Sequence, residues 1–295
     1  MKEIVVISGK GGTGKTVITA CFASLAENKV VADCDVDAAD LHLLLHPKIK
    51  QTHKFKSGKT AVIDKELCVG CQKCLEVCRF SAIINDTQHI THNAQRFFID
   101  PISCEGCGIC SFVCPQGAIK MEENTCGEWF ISDTSYGPFV HAKLGIAEEN
   151  SGKLVATVRQ EAKQIAGRQN RDYIIIDGPP GIGCPVIACL GGIDIALVVT
   201  EPTFCGIYDM QRIIKVTQHF GVKTCVCINK CDLNPENSQA IKKWCKDSNV
   251  EVIGEVGFDS NVSRAMVNGK PIVEYQDNSA SSQIRDLWSR LKESL

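Results

Sequence analysis

The feature that most narrows the possible folds of this 295-residue chain is a doubled cysteine spacing. Cys68-x2-Cys71-x2-Cys74-x3-Cys78 is followed by Cys104-x2-Cys107-x2-Cys110-x3-Cys114-Pro115, which places eight of the eighteen cysteines in one stretch. Small secreted domains use cysteines at such density as disulfide staples, but 295 residues with 44% hydrophobic content can build a core without them. The amino terminus, Met1-Lys2-Glu3-Ile4-Val5-Val6-Ile7, offers four apolar residues before Ser8 and Gly9, too few for a signal peptide. No apolar run approaches the roughly 18 residues that span a bilayer, so no stable membrane anchor is expected. The sequence thus predicts a reducing, cytoplasmic setting in which thiolates bind metal. Thirty-two basic against thirty-four acidic side chains leave a net charge of −2, which gives no electrostatic reason to expect nucleic acid as a partner.

Three thiolates spaced by two residues can wrap three corners of a four-iron, four-sulfide cube, and a remote cysteine closes the fourth. The repeated spacing resembles that of two-cluster bacterial ferredoxins, in which each fourth cysteine serves the other cluster. This resemblance implies two [4Fe-4S] clusters, one on Cys68, Cys71, Cys74 and Cys114, the other on Cys104, Cys107, Cys110 and Cys78. Gly70, Gly106 and Gly108 suit tight loops whose amides point at cluster sulfurs. Arg79 stands where proline usually follows the fourth cysteine of the first motif, which bears on local rigidity rather than ligation. The rival reading, a zinc ribbon, uses two C-x2-C pairs per metal and leaves the third cysteine of each half without a use. Seven basic and eight acidic residues between 56 and 123 give this stretch a net charge of −1, so strong charge steering toward a partner is not expected.

Outside that stretch the chain alternates continuous apolar strands with helical patterns. Ile4–Ile7, Val30–Ala32, Ile174–Ile176, Ile195–Val199 and Cys225–Ile228 read as strands buried on both faces. Thr16–Glu27, Tyr208–Phe220 and Pro235–Asp247 read as helices. This alternation predicts an α/β fold with a doubly wound, mostly parallel sheet. The rhythm breaks at Phe55–Glu123, where no long helix is expected. The predicted organisation is a discontinuous domain of residues 1–55 and 124–295, with a small α+β bacterial-type ferredoxin domain, 56–123, inserted into it.

The first strand runs into Ser8-Gly9-Lys10-Gly11-Gly12-Thr13-Gly14-Lys15-Thr16, which fits G-x-x-x-x-G-K-[ST] between a strand and a helix. Backbone amides of Gly9, Gly11, Gly12, Thr13 and Gly14 would approach phosphate oxygens at the positive end of the helix. Lys15 would reach the β- and γ-phosphates, and the Thr16 hydroxyl would ligate Mg2+. A second lysine, Lys10, makes the loop similar to the deviant Walker A motif of the MinD/Mrp/nitrogenase iron-protein group. The resemblance implies that Lys10 crosses a dimer interface to the partner's nucleotide, in a homodimer or a heterodimer with a paralogue formed on ATP binding. It also implies that Asp33-Cys34-Asp35 is switch I, with Asp35 orienting the attacking water and Asp33 near Mg2+. Asp177-Gly178-Pro179-Pro180-Gly181 resembles Walker B running into switch II, with Asp177 holding a Mg2+-bound water. Both carboxylate sets end strands, where α/β sheets bind ligands.

Asn229-Lys230-Cys231-Asp232 follows another strand and should read the base. It looks like the N-K-x-D guanine motif, but the group that Lys10 points to uses its asparagine on adenine, which favours ATP over GTP. Val17 replaces the second threonine often found after Lys-Thr. Gly145–Val155 also resembles this superfamily, and the likeness covers nearly the whole chain.

Other features read as structure. Asp37 and Asp40 fit helix N-caps. Cys34, Cys189, Cys225 and Cys227 suit core positions, and core packing is also preferred for Cys184, the alternative being a metal-transit site. His42 and His46 fit a half-exposed helix face rather than a metal pair. Ile284–Leu295 is expected to dock on the sheet. Three functions follow: an ATP-driven redox module serving an unidentified metalloprotein partner, an Mrp-like iron–sulfur or metal-cluster carrier, and a MinD-like positioning ATPase. The paired motif favours the first, because eight buried ligands make a poor carrier.

Overall fold

A computed structural model describes residues 1–86, 96–145 and 151–295; of the Gly145–Val155 segment, residues 146–150 lie outside them. In chain order the elements are β1 (Lys2–Ser8), α1 (Lys15–Leu25), β2 (Lys29–Asp33), α2 (His42–Leu45), β3 (Lys48–Ile63), α3 (Lys73–Val77), β4 (Ile83–Asp86) and β5 (Arg96–Ile99). There follow α4 (Ile109–Val113), β6 (Ile119–Thr134), β7 (Gly137–Leu144), α5 (Ser151–Arg168), β8 (Tyr173–Pro180), α6 (Cys184–Leu190), β9 (Ile195–Thr200) and α7 (Phe204–His219). The chain closes with β10 (Lys223–Asn229), α8 (Pro235–Asp247), β11 (Glu251–Val256), α9 (Ser260–Val267), α10 (Ile272–Tyr275) and α11 (Ser279–Glu293). Two compact units emerge, one made of Met1–His53, Glu128–Leu144 and Ser151–Leu295, the other built on Lys54–Gly127.

The sheet runs β11-β10-β9-β1-β8-β2-β7-β6-β3. Each pairing from β11 to β7 is parallel. The β-branched runs read from the sequence form its centre: Ile4, Val5, Val6 and Ile7 are fully buried, as continuous apolar strands covered on both faces must be. Because the strands are parallel, Ser8, Asp33 and Pro180 end on the same edge, which gathers the glycine loop and both aspartate motifs there. Below them Phe22 of α1 meets Trp288 of α11 with ring centroids 5.0 Å apart. Ile284, Leu287 and Leu291 are buried beside it, so the amphipathic tail docks on this core.

Several local expectations change. α7 begins one turn before Tyr208, because the Thr203 hydroxyl caps it by accepting the Gly206 N–H at 3.0 Å. Asp37 and Asp40 cap nothing: α2 has Leu41 at its N-cap and no side-chain cap bond. The long strands β3 and β6, sixteen residues each, were not foreseen. β3 is a sheet edge carrying exposed Lys48, Lys50, Lys54 and Lys56, side chains that discourage further strand pairing.

The second unit is an internal repeat with an offset of 36 residues, from Cys68 to Cys104 and from Cys78 to Cys114. The backbone repeats with it. Gly70 and Gly106 have φ of 70° and 65°, Gln72 and Gly108 have 65° and 77°, and Ser81 and Gly117 have 53° and 61°. α3 and α4 each carry the third cysteine of a motif and end at the fourth. The halves interlock: Asp64 N–H donates to Ala118 O at 2.7 Å, and Asp100 N–H to Ala82 O at 2.8 Å. Ile83, Ile119, Ala61 and Phe97 form the small core between them.

Candidate nucleotide site and cysteine recesses

In the first unit a cavity of about 540 Å3, ample for a nucleotide, is lined by Gly11–Ile18, Asp35, Asn229, Lys230 and the Val256–Asp259 turn. Gly14 opens α1 at φ 91°, and a Cβ on it would lie 2.3 Å from Asn229 Nδ2; conformation and close approach both demand glycine there. Asn229 Nδ2 donates to Thr13 O at 2.7 Å, so the asparagine braces the loop. Asp232 does not line the cavity; its Oδ1 accepts the Phe258 N–H at 2.7 Å and fixes the turn after β11.

Lys15 Nζ stands 3.2 Å from Asp35 Oδ2 and 3.2 Å from Asp177 Oδ1. Thr16 Oγ1 donates to Asp177 Oδ2 at 2.8 Å, and Thr19 Oγ1, one helical turn on, donates to Asp177 Oδ1 at 2.9 Å. Asp33 sits opposite Asp177 in the β2–β8 register; its Oδ1 accepts the Asp35 N–H at 3.1 Å, while Oδ2 is buried without a hydrogen-bond partner. Two carboxylates thus pair with one ammonium, and Asp33 acts on it through its charge alone. Burial pushes the Asp33 carboxyl well above the usual carboxylate range, with the Asp177 charge adding to it. Burial raises Asp35 too, against the pull of Lys15. For Lys15 burial works the other way, but Asp177, Asp35 and Asp33 outweigh it and hold its pKa above the ordinary value. An orphaned carboxylate oxygen and an excess of buried negative charge fit a divalent cation, with Thr16, Asp33 and Asp177 as the residues to hold it.

Lys10 Nζ is 2.5 Å from Glu201 Oε1 and 3.4 Å from Thr203 Oγ1. Lys230 Nζ takes the other oxygen, Glu201 Oε2, at 2.9 Å and also donates to Gly12 O at 3.1 Å. Burial opposes the charge on Glu201, but its bonds to Lys10 and Lys230 hold the carboxyl below its usual range.

In the second unit two recesses are found. One is lined by Cys68, Cys71, Cys74 and Cys114, the other by Cys78, Cys104, Cys107 and Cys110. Each therefore draws three thiols from one half and the fourth from the other. Ala118 N–H donates to Cys114 Sγ at 3.3 Å. Among the described residues no group of three or more His, Cys, Asp or Glu side chains is close enough to hold a metal ion. The donor set, four thiols lining each recess, has the chemistry of an iron–sulfur or a zinc ligand quartet.

Residues 4–272 match the CobQ/CobB/MinD/ParA nucleotide binding domain. The chain belongs to that family. An uncharacterized protein of Methanocaldococcus jannaschii is 32% identical to this family member over 99% of this chain and 96% of its own length. A Caenorhabditis briggsae homolog of the cytosolic Fe-S cluster assembly factor NUBP1 is 22% identical over 99% of this chain and 81% of its own. The Pyrococcus horikoshii septum site-determining protein MinD, solved with Mg-ADP, superposes with a TM-score of 0.58 at 17% identity, covering 99% of this chain and 96% of that one. The α/β P-loop fold and membership in a nucleotide-binding ATPase family follow.

Within this CobQ/CobB/MinD/ParA domain the fold brings together Gly9–Thr16, Asp33, Asp35 and Asp177, while Asn229 and Asp232 brace loops. Glu201 and Thr19 were missed by sequence reasoning, and Lys230, read there only as part of the Asn229–Asp232 motif, pairs with Glu201. Glu201 follows a strand end, the position that drew attention to the aspartates, and the same rule finds it. Cys184 corrects another expectation: it is exposed rather than packed in the core. α6 buries Val186, Cys189 and Leu190, a stripe that leaves Cys184 and the exposed Ile187 outside it. Among the described residues no helix is long and apolar enough to cross a membrane.

Proposed function

We propose that this family member is an ATPase whose nucleotide-dependent dimer closure gates electron transfer through two [4Fe-4S] clusters to a metalloprotein partner. The observation that carries the reading is the division of eight cysteines into two recesses, each with four thiols and each with one thiol exchanged between halves. When bound, each cluster would take up and release one electron. Ile63, Phe97 and Ile119 beside the first, and Ile83 and Ile99 beside the second, would shield one side of each cluster. Of the eight cysteines Cys74 alone is buried and Cys71 and Cys107 are exposed, which corrects the expectation of eight buried ligands. At the nucleotide, Lys15 would turn from Asp35 and Asp177 to the β- and γ-phosphates. Asp35 would then be free to orient the attacking water. Lys10 would leave Glu201 for the partner's nucleotide, and contacts that differ between the two arrangements are what allow ATP to shift the equilibrium. Phe258 and Val262, which line the cavity, would offer adenine an apolar surface.

A cluster-assembly role is the second reading. It is favoured by the similarity to an Fe-S cluster assembly factor and by exposed Cys184, a site two subunits can share. Chelator challenge separates the two. Anaerobically purified protein is expected to keep about eight irons per chain in the presence of chelator and ATP, as two four-iron motifs require. Rapid ATP-dependent loss of iron to an apo-acceptor supports assembly and defeats the redox assignment. Lys10→Ala is expected to abolish ATP-dependent dimerisation, measured by light scattering, with iron content unchanged. Dimers of the variant that still form with ATP remove the role given to Lys10.

A further inference from the structure

The second unit's repeat permits a comparison that a single site does not. Position by position, the two recesses match: Cys68 with Cys104, Ala118 with Ala82, Ile119 with Ile83. One matched pair differs in charge. Val69 lines the first recess where Glu105 lines the second, and both follow directly after the first cysteine of their motif. The other polar groups lining the first recess, Gln72 and Gln116, are neutral, so Glu105 is the single ionisable group other than cysteine among the residues lining either one.

Reduction adds one negative charge to a cluster, and a fixed carboxylate beside it opposes that charge, lowering the potential. An N–H donor on a ligand sulfur acts in the opposite sense, and the first recess has one in the Ala118 N–H to Cys114 bond. We propose that Glu105 ranks the two sites, so that the cluster on Cys68, Cys71, Cys74 and Cys114 is reduced before the cluster on Cys78, Cys104, Cys107 and Cys110. This rests on the two-cluster reading above. The step is one electron per cluster from an added reductant such as dithionite, with no bond made or broken. An electron arriving at either site then rests on the first.

Glu105 is exposed, so water and salt screen it and the separation is modest. The test is an EPR-monitored redox titration of the full-length, anaerobically reconstituted protein beside Glu105→Val and Val69→Glu, which exchange the two environments. Signals are assigned with Cys68→Ser and Cys104→Ser, each of which removes the first ligand of its own motif. In Glu105→Val the second-site ratio of reduced to oxidised cluster, at fixed potential, is expected to rise about three- to tenfold; tenfold is about 59 mV for a one-electron couple. In Val69→Glu the first-site ratio should fall by a similar factor. A change below twofold at the second site of Glu105→Val, or reduction of the second site first in the unaltered chain, overturns the ranking. Iron and sulfide analysis comes first: a protein that binds no clusters overturns the two-cluster reading itself, whereas eight irons with unshifted potentials defeats the ranking alone.

Discussion

Lys15→Ala is expected to abolish ATP hydrolysis and to destabilise the first unit by about 3–5 kcal/mol near neutral pH, because it strands buried carboxylates without their cation. Lys15 is 6% exposed and Asp177 1%, so solvent does little to screen the loss. The pH dependence distinguishes this cause from a simple cavity. Asp33 and Asp35 have folded-state pKa values above the ordinary carboxylate value, chiefly through burial. A carboxyl shifted in that direction binds its proton more tightly in the folded chain than in the unfolded one. It costs stability at pH above its folded pKa, and the cost is relieved as pH falls through that value. Removing the ammonium raises both carboxyls further. The deficit of the variant should therefore be largest at neutral pH and above, and should shrink on acidification. Urea unfolding of both proteins at about pH 7.5 and about pH 5.5 measures it. A deficit that stays constant or grows on acidification shows that charge is not its source.

Cys114→Ser is expected to remove the same four irons as Cys68→Ser, although 46 residues separate them and Cys114 belongs to the other motif. The reason is the lining of the recesses, where Cys114 stands with Cys68, Cys71 and Cys74. Either variant should fall from about eight irons per chain to about four and lose one and the same EPR signal. Cys78→Ser should instead pair with Cys104→Ser. If Cys114→Ser and Cys104→Ser share a phenotype, each motif holds its own cluster and the exchange is wrong. Zinc found in stoichiometric amounts in the purified protein would overturn the two-cluster reading.

Much of the site could be read directly because its signals are local. The glycine loop lies between a strand of four apolar residues and a helix, and the aspartates end strands whose continuous hydrophobicity marks them as central and parallel. What escaped depends on distant partners. In β3, Lys-Ile-Lys-Gln-Thr-His-Lys-Phe-Lys exposes most of its side chains and has no apolar run; pairing with β6 makes it a strand, and an edge strand needs only that. Glu201 stands just past a strand end, but its partners show only when the fold sets Lys10 and Lys230 on either side of it. Cys184 sits among apolar neighbours in sequence, but at the first position of a helix whose buried stripe starts two residues later. Asn229 and Asp232 have the residue types of a base reader, and nothing in their spacing tells that their side chains brace the glycine loop and the Phe258 turn.

Strand order also sets a timetable for the growing polypeptide. β1 and β2 do not touch, because β8 lies between them, and β8 is finished only when residue 180 has been added. The glycine loop thus leaves the ribosome well before the strand that will seat it. The cysteine recesses follow a different clock: each borrows one thiol from the other half, so the second has its four when residue 110 emerges and the first when residue 114 does. Since units fold as they are synthesised, all eight motif cysteines are in place while the strands that complete the sheet are still nascent chain.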